Sequence, residues 1–211
     1  MELKWLGHAS WKLKADGKTI YIDPYEGEYE EKADIVLISH SHDDHCKPNK
    51  IKAAMGPSTV VIAPADCAAK IGTKVKSLKP GGKTKIGEIE IETVDAYNHK
   101  RFRSPGVPFH PKGLGVGYLI RAEGKTVYHT GDTDLIPEMK DLKGVDLMLV
   151  ASGGTYTMDM EEAAEATITV NPKTAIPMHT WGKDPEAFKR RVEAAGKTNV
   201  KIMKAGETYS L

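Results

Sequence analysis

The chain has 211 residues, with 30 Lys and Arg against 29 Asp and Glu, for a net charge of +1. That length allows one large domain or two small ones with a real core, and the near-neutral balance excludes a global field that would draw the protein to nucleic acid or a membrane. Two cysteines, Cys46 and Cys67, exclude a disulfide framework.

In chain order, the segment MELKWLGHASWKLKADG scatters charges and has no apolar core of the kind a secretion signal needs. No apolar run approaches a membrane span, so a soluble, cytoplasmic protein is expected. The segments 2–6, 10–15 and 18–22 read as a strand meander, with Asp16-Gly17 as a tight hairpin turn. DIVLIS (34–39) is almost continuously apolar, as in a strand buried on both faces, and STVVIA (58–63) is another. Helices are expected at 48–55 and 64–72, each opening near a proline. EIEIETV (88–94) alternates as a half-buried strand does. A helix over 159–170 begins with acids in its first turn. A last helix over 184–196 has Asp184 as N-cap, Pro185 at its first position and Gly196 beyond its end.

WKLKADGKTIY (11–21) and YLIRAEGKTVY (118–128) match in register across the turn, and ADIVLIS (33–39) resembles VDLMLVA (145–151). The chain therefore reads as two related halves, each a hairpin followed by a buried strand. Two such halves suggest two sheets packed face to face with helices on both outer faces.

The run HSHDDH (40–45) crowds three imidazoles and two carboxylates at the tip of a buried strand. Such groups are costly near a core unless something binds them. In an extended stretch His40 and His42 point the same way, Asp44 continues the spacing, and His45 requires a turn. His99, Asp132 and His179 each follow a probable strand, so these loops can converge on one edge. Imidazole and carboxylate together suit Zn, Fe, Mn and similar divalent ions.

HSHDDH fits H-x-H-x-D-H, and with the later His99, the Asp132 of GDT and the His179 of PMH it resembles the metallo-β-lactamase superfamily. The segments GHAS, IYIDP, YHTGDT and the Thr-Met pair 157–158 resemble the small metal-dependent hydrolases related to ascorbate-6-phosphate lactonase. The resemblance implies one αββα sandwich domain, an α/β fold, over residues 1–211. It implies that His40, His42 and His99 bind one metal, that Asp44, His45 and His179 bind a second, and that Asp132 bridges them. Two divalent ions, zinc first with Mn, Fe or Ni also compatible, would hold a water and lower its pKa toward roughly 7, giving a hydroxide nucleophile.

Asp44 is then both a ligand and an orienter of the nucleophile. His8, in LGHAS, is a candidate proton donor or substrate contact, with packing as the alternative. His129 is expected to orient the loop of Asp132, and His110 reads as a loop residue. The loop 98–113 carries Lys100, Arg101, Arg103, Phe102 and Phe109, which suits an anionic substrate at the mouth of a metal site. The expected activity is hydrolysis of a small ester, lactone or phosphodiester. A nuclease of the same superfamily and a non-catalytic metal-binding protein are the alternatives. A small-molecule substrate is the expected partner, with neither membrane nor nucleic acid, and self-association stays open.

Overall fold

A computed structural model of the chain describes residues 1–72 and 74–211. Its strands are β1 Glu2–Gly7, β2 Ser10–Ala15, β3 Lys18–Ile22, β4 Ala33–Leu37, β5 Met55–Ala63, β6 Val75–Ser77, β7 Lys83–Ile86, β8 Ile89–Asp95, β9 Phe102–Ser104, β10 Val107–Pro108, β11 Val116–Ala122, β12 Lys125–His129, β13 Leu147–Ala151, β14 Thr174–Met178, β15 Asn199–Val200 and β16 Thr208–Ser210. Its helices are α1 Pro48–Ala54, α2 Ala65–Ile71, α3 Met160–Val170 and α4 Glu186–Ala194.

Apolar residues on alternate positions of both sheets bury against one another. Leu3, Trp11, Leu13, Ile20, Ile35 and Leu37 from the first sheet meet Ile91, Tyr118, Ile120, Val127, Leu149 and Ile176 from the second in one cluster. Residues of opposite parity bury outward, beneath helices. Tyr21, Val36, Ile38 and Val61 pack with Ile51 of α1 and Ile71 of α2. Leu119, Tyr128, Met148 and Val150 pack with Ala163, Ala166 and Val170 of α3 and Phe188 of α4. The result is an αββα sandwich. Among the described residues, no helix is long and apolar enough to cross a membrane.

The two sheets repeat one topology. The first runs β16-β1-β2-β3-β4-β5-β6 and the second β15-β14-β13-β12-β11-β8-β7. From β1 to β6 the pairings are antiparallel twice and parallel three times, and from β8 through β11 to β15 they follow the same order. Each half has a helix between its fourth and fifth strands and another between its fifth and sixth. Each hairpin turns through two left-handed residues, Asp16-Gly17 and Glu123-Gly124, which match the twist of the flanking strands. The turns also touch, because the amide of Asp16 donates to the Glu123 carboxylate at 2.7 Å.

Boundaries shift where side chains intervene. The fourth strand stops at Leu37 rather than Ser39, because the Ser39 amide turns to donate to Asp23 Oδ1 at 2.7 Å. The last helix starts at Glu186, whose amide donates to Asp184 Oδ1 at 3.0 Å, so Asp184 and Pro185 lie outside it. The helix expected over 159–170 starts at Met160, because Asp159 serves as its cap, accepting from the Glu162 amide at 2.9 Å. Replacing Asp159 with Ala should cost about 1 kcal/mol of stability, read as a lower denaturant midpoint with an unchanged slope.

Candidate metal centre

The site forms where loops leave the carboxyl ends of β1, β4, β12 and β14, which the sandwich brings to one edge. Buried strands fix where each loop starts, and tight turns then aim the side chains. After β4 the chain is extended only through His40. It then turns, with the amides of His45 and Cys46 both donating to the His42 carbonyl, at 3.1 and 2.7 Å. Asp44 therefore reaches the site from a turn, not from a continued extended run. His8, His179 and Trp181 all take left-handed backbone conformations, with φ of 51°, 52° and 53°, as residues at strained functional turns often do. The amide of His179 donates to the His8 carbonyl at 3.2 Å, joining the ends of β1 and β14.

Gly131, in the loop before Asp132, has φ of +60°, and a Cβ there would lie 2.6 Å from the Val116 carbonyl. Only glycine fits that turn. Its amide donates to His129 Nδ1 at 3.2 Å, while His129 Nε2 lies 3.1 Å from the Ala9 carbonyl. His129 thus carries its proton on Nε2 and braces the Asp132 loop from below.

Three ligand groups result. His40 Nε2, His42 Nδ1 and His110 Nε2 converge, with both Nε2 atoms 3.1 Å from His42 Nδ1. His8, Asp44, His45 and His179 form a second group, in which Asp44 Oδ2 lies 3.1 Å from His8 Nε2, 3.6 Å from His179 Nε2 and 3.8 Å from His45 Nε2. Asp132 stands between them, forming the third group with His40 and His45. One oxygen is 3.4 Å from His110 and from His179 and 3.9 Å from His40, and the other is 3.4 Å from His45.

His99 is the exception among the expected ligands. Its amide donates to Asp134 Oδ2 at 2.8 Å, and its side chain is 42% exposed, outside all three groups. The loop is pinned on Asp134, which also accepts from the Lys100 amide, the Arg101 guanidinium and Asn98 Nδ2. That anchor turns residue 99 outward. The chain comes back to the centre at residue 110, after the β9–β10 hairpin. His110, a loop residue by its sequence, takes the place expected of His99. Asn98 aims it, since Oδ1 accepts from the His110 amide at 3.0 Å and from Nδ1 at 2.6 Å, leaving Nε2 for the centre. Neither role has a local sequence signal, because the histidine sits between prolines and the asparagine lies twelve residues upstream.

The loop's basic residues also divide. Arg101 is held inside by Asp134, Glu162 and the Gly154 carbonyl, and Lys100 pairs with Glu162. Only Arg103 faces the centre, with Nη2 3.5 Å from His42 Nε2.

The electrostatics suit a cation. Burial and neighbouring imidazoles hold His40 well below the usual histidine range, and burial brings His110 down to about 4. Burial lowers His42 as well. These three therefore present lone pairs at neutral pH. Burial opposes charge on His45 too, but Asp132 and Asp23 outweigh it and hold its pKa well above the usual value. Burial would raise Asp132, yet the surrounding imidazoles keep it ionised. His45 Nε2, His179 Nε2 and Asp132 Oδ1 are buried and have no hydrogen-bond partner. Orphaned polar atoms of this kind are costly. A divalent ion among them would satisfy all three, so the residues fit a metal.

The chain belongs to the β-lactamase superfamily, whose domain model matches residues 2–179, and it is an enzyme of that superfamily's metal-dependent hydrolase class. A UPF0173 metal-dependent hydrolase of Pelotomaculum thermopropionicum is 35% identical over the full length of both chains. The crystal structure of a proposed metal-dependent hydrolase from Parabacteroides distasonis is 35% identical and covers 95% of this chain and 91% of its own, with a TM-score of 0.89. Igni18, a metallo hydrolase of the hyperthermophilic archaeon Ignicoccus hospitalis, is 29% identical and covers 100% and 98%, with a TM-score of 0.81.

Two outcomes are expected. His110→Ala should lower bound metal while His99→Ala keeps it, and Asn98→Ala should weaken metal affinity about 10- to 100-fold, measured by metal analysis and chelator competition. Because Asp132 and Asp23 raise the His45 pKa, a metal entering that group must displace a proton, whereas burial already favours the unprotonated rings of His40, His42 and His110. Affinity at the His45 group should therefore rise more steeply with pH than affinity at the triad, read by chelator competition across a pH series.

Proposed function

We propose that this enzyme hydrolyses a small, anionic ester, lactone or phosphodiester with two divalent ions in its centre. Zinc is the first choice, with Mn, Fe or Ni as alternatives. The observation that carries the reading is the convergence of unpartnered, buried ligand atoms from His45, His179 and Asp132 beside a three-histidine cluster. His40, His42 and His110 would hold one ion, Asp44, His45 and His179 the other, and Asp132 would serve both. When bound, such ions supply water of lowered pKa and a Lewis acid for developing negative charge.

The remaining work falls to side chains. Asp44 keeps its charge, because the neighbouring His179 ring and the hydrogen bond to His8 outweigh its burial, so Oδ2 can orient the attacking water and accept its proton. His8 Nε2, 3.1 Å from that oxygen, relays the proton to the leaving oxygen. Burial lowers the His8 pKa, so the ring is neutral with its proton on Nε2 toward Asp44; that proton passes to the leaving oxygen as the proton from Asp44 takes its place. Trp181 and Tyr25 pack around the His8 ring, with centroids 5.0 and 5.6 Å away, and fix its orientation.

Beside the centre lies an open cleft of about 460 Å³, bordered by His42, Asp44, Arg103, Phe109, Tyr156 and Trp181. That volume suits a small molecule, and the near-neutral net charge supports neither nucleic acid nor membrane as the partner. Both cysteines are free and buried, which suits a reducing, cytoplasmic setting.

The test is a panel of chromogenic esters, lactones and phosphodiesters with the protein loaded with Zn, Mn, Fe or Ni. Turnover with at least one metal is expected, and none with any metal would overturn this substrate class. His8→Ala should lower kcat by about a hundredfold or more while metal content stays at the wild-type level. Loss of metal instead would make His8 a ligand.

A further inference from the structure

We propose that Arg103 and the outer nitrogen of His42 form a seat for a substrate oxyanion, so that the substrate carries a carboxylate or phosphate group close to the bond that is cut. This rests on the hydrolase reading above and names the substrate class of the same site.

The argument starts from which way each imidazole faces. Ligand histidines normally donate their outer N–H to an acceptor. His40 does so through Nδ1, 3.0 Å from Ser39 Oγ. His45 Nδ1 is 2.7 Å from Asp23 Oδ2, and His110 Nδ1 is 2.6 Å from Asn98 Oδ1. His42 is mounted the other way round. Its Nδ1 points inward, and its Nε2 points out to the cleft.

With the lone pair of Nδ1 aimed at the centre, a neutral imidazole carries its proton on Nε2. The neighbour of that atom is Arg103 Nη2 at 3.5 Å, and a guanidinium is a donor only. Two donors thus face the same space with no acceptor between them. An anionic oxygen seated there satisfies both at once. Arginine offers more, because its planar fork takes a second oxygen of the same carboxylate or phosphate.

Arg103 is available for this. Among the described residues no carboxylate pairs with its guanidinium, which meets His42 and lies over the Phe109 ring, with the centroid 5.8 Å away, a contact that steadies its plane. Nearby cations are committed elsewhere. Lys70 is bound by Asp43 and the Ser41 carbonyl, Lys100 by Glu162, and Arg101 by Asp134 and Glu162. From Phe109 an aromatic wall continues through Tyr156, edge-on at 4.7 Å, to Trp181, which is 55% exposed. That wall would receive the flat or apolar part of the same molecule. The seat is one imidazole ring from the centre, so the oxyanion belongs within a few bonds of the scissile group.

The test compares wild type, Arg103→Gln and Arg103→Lys on three esters: mono-4-nitrophenyl succinate, its phosphonate analogue 4-nitrophenyl 3-phosphonopropanoate, and neutral methyl 4-nitrophenyl succinate. For an anionic ester, the KM relative to that of the neutral ester should rise about tenfold or more in Arg103→Gln and recover partly in Arg103→Lys. The arm with the larger change identifies carboxylate or phosphate. If the esters are cleaved but this ratio is the same in wild type and Arg103→Gln, the seat is overturned and the hydrolase reading stands. If none is cleaved, the hydrolase reading fails for this class, and calorimetric binding of glutarate and phenylphosphonate decides the seat. Binding at least tenfold tighter to wild type than to Arg103→Gln supports it. Equal affinity, or no binding to wild type, overturns it.

Discussion

The structure turns on an electrostatic debt at the edge of the sandwich. Asp132 is buried among His40, His45, His110 and His179, and Asp44 lies beside His8, His45 and His179. Assembling that set in a desolvated place is unfavourable without a cation to engage its lone pairs. The surrounding architecture reads as what is needed to hold such a set in readiness: rigid strands beneath, left-handed turns at the strand ends, and a layer of hydrogen bonds that fixes each ring.

That layer is economical. Asp23 alone accepts from the Ser39 amide, the Ser39 hydroxyl and His45 Nδ1. Ser39 in turn meets His40 Nδ1. One carboxylate at the end of β3 therefore orients a ring from each of two ligand groups. Asp134 does the equivalent work on the other side through Asn98, and it ties down the whole 98–101 segment as it does so. Each half of the molecule thus contributes one buried acid that never faces the centre but determines what does.

Much of this was legible in the sequence. Period-two alternation and turn chemistry located the long strands, because burial on one or both faces writes itself into residue order. The strong cluster at residues 40–45 and the acid of GDT were legible because they sit directly on strand ends. The third imidazole of the triad was not. His99 is the nearer histidine to β8, but a side chain that is remote in sequence, Asp134, captures its backbone and turns it away. His110 enters only because the connection between β8 and β11, residues 96–115, folds back, and loop paths are fixed by contacts that have no local period. Arg101 misled for the same reason. Its charge reads as a contact for an anionic substrate, yet its partners Asp134 and Glu162 arrive from other parts of the chain. The short edge strands β6, β7 and β16 carry too few residues to show a pattern at all.

The repeated topology has a mechanical consequence. His8, His40, His42, Asp44 and His45 come from the first half, and His110, Asp132 and His179 from the second, so every one of the ligand groups draws on both halves. Any ion that engages both sets becomes a rivet through the seam between the two sheets. The final strand closes the opposite side, since β16 pairs with β1 and returns the end of the chain to its beginning. Prising the halves apart therefore means both stripping that clasp and dismantling the centre, which couples the integrity of the sandwich to the occupancy of its rim.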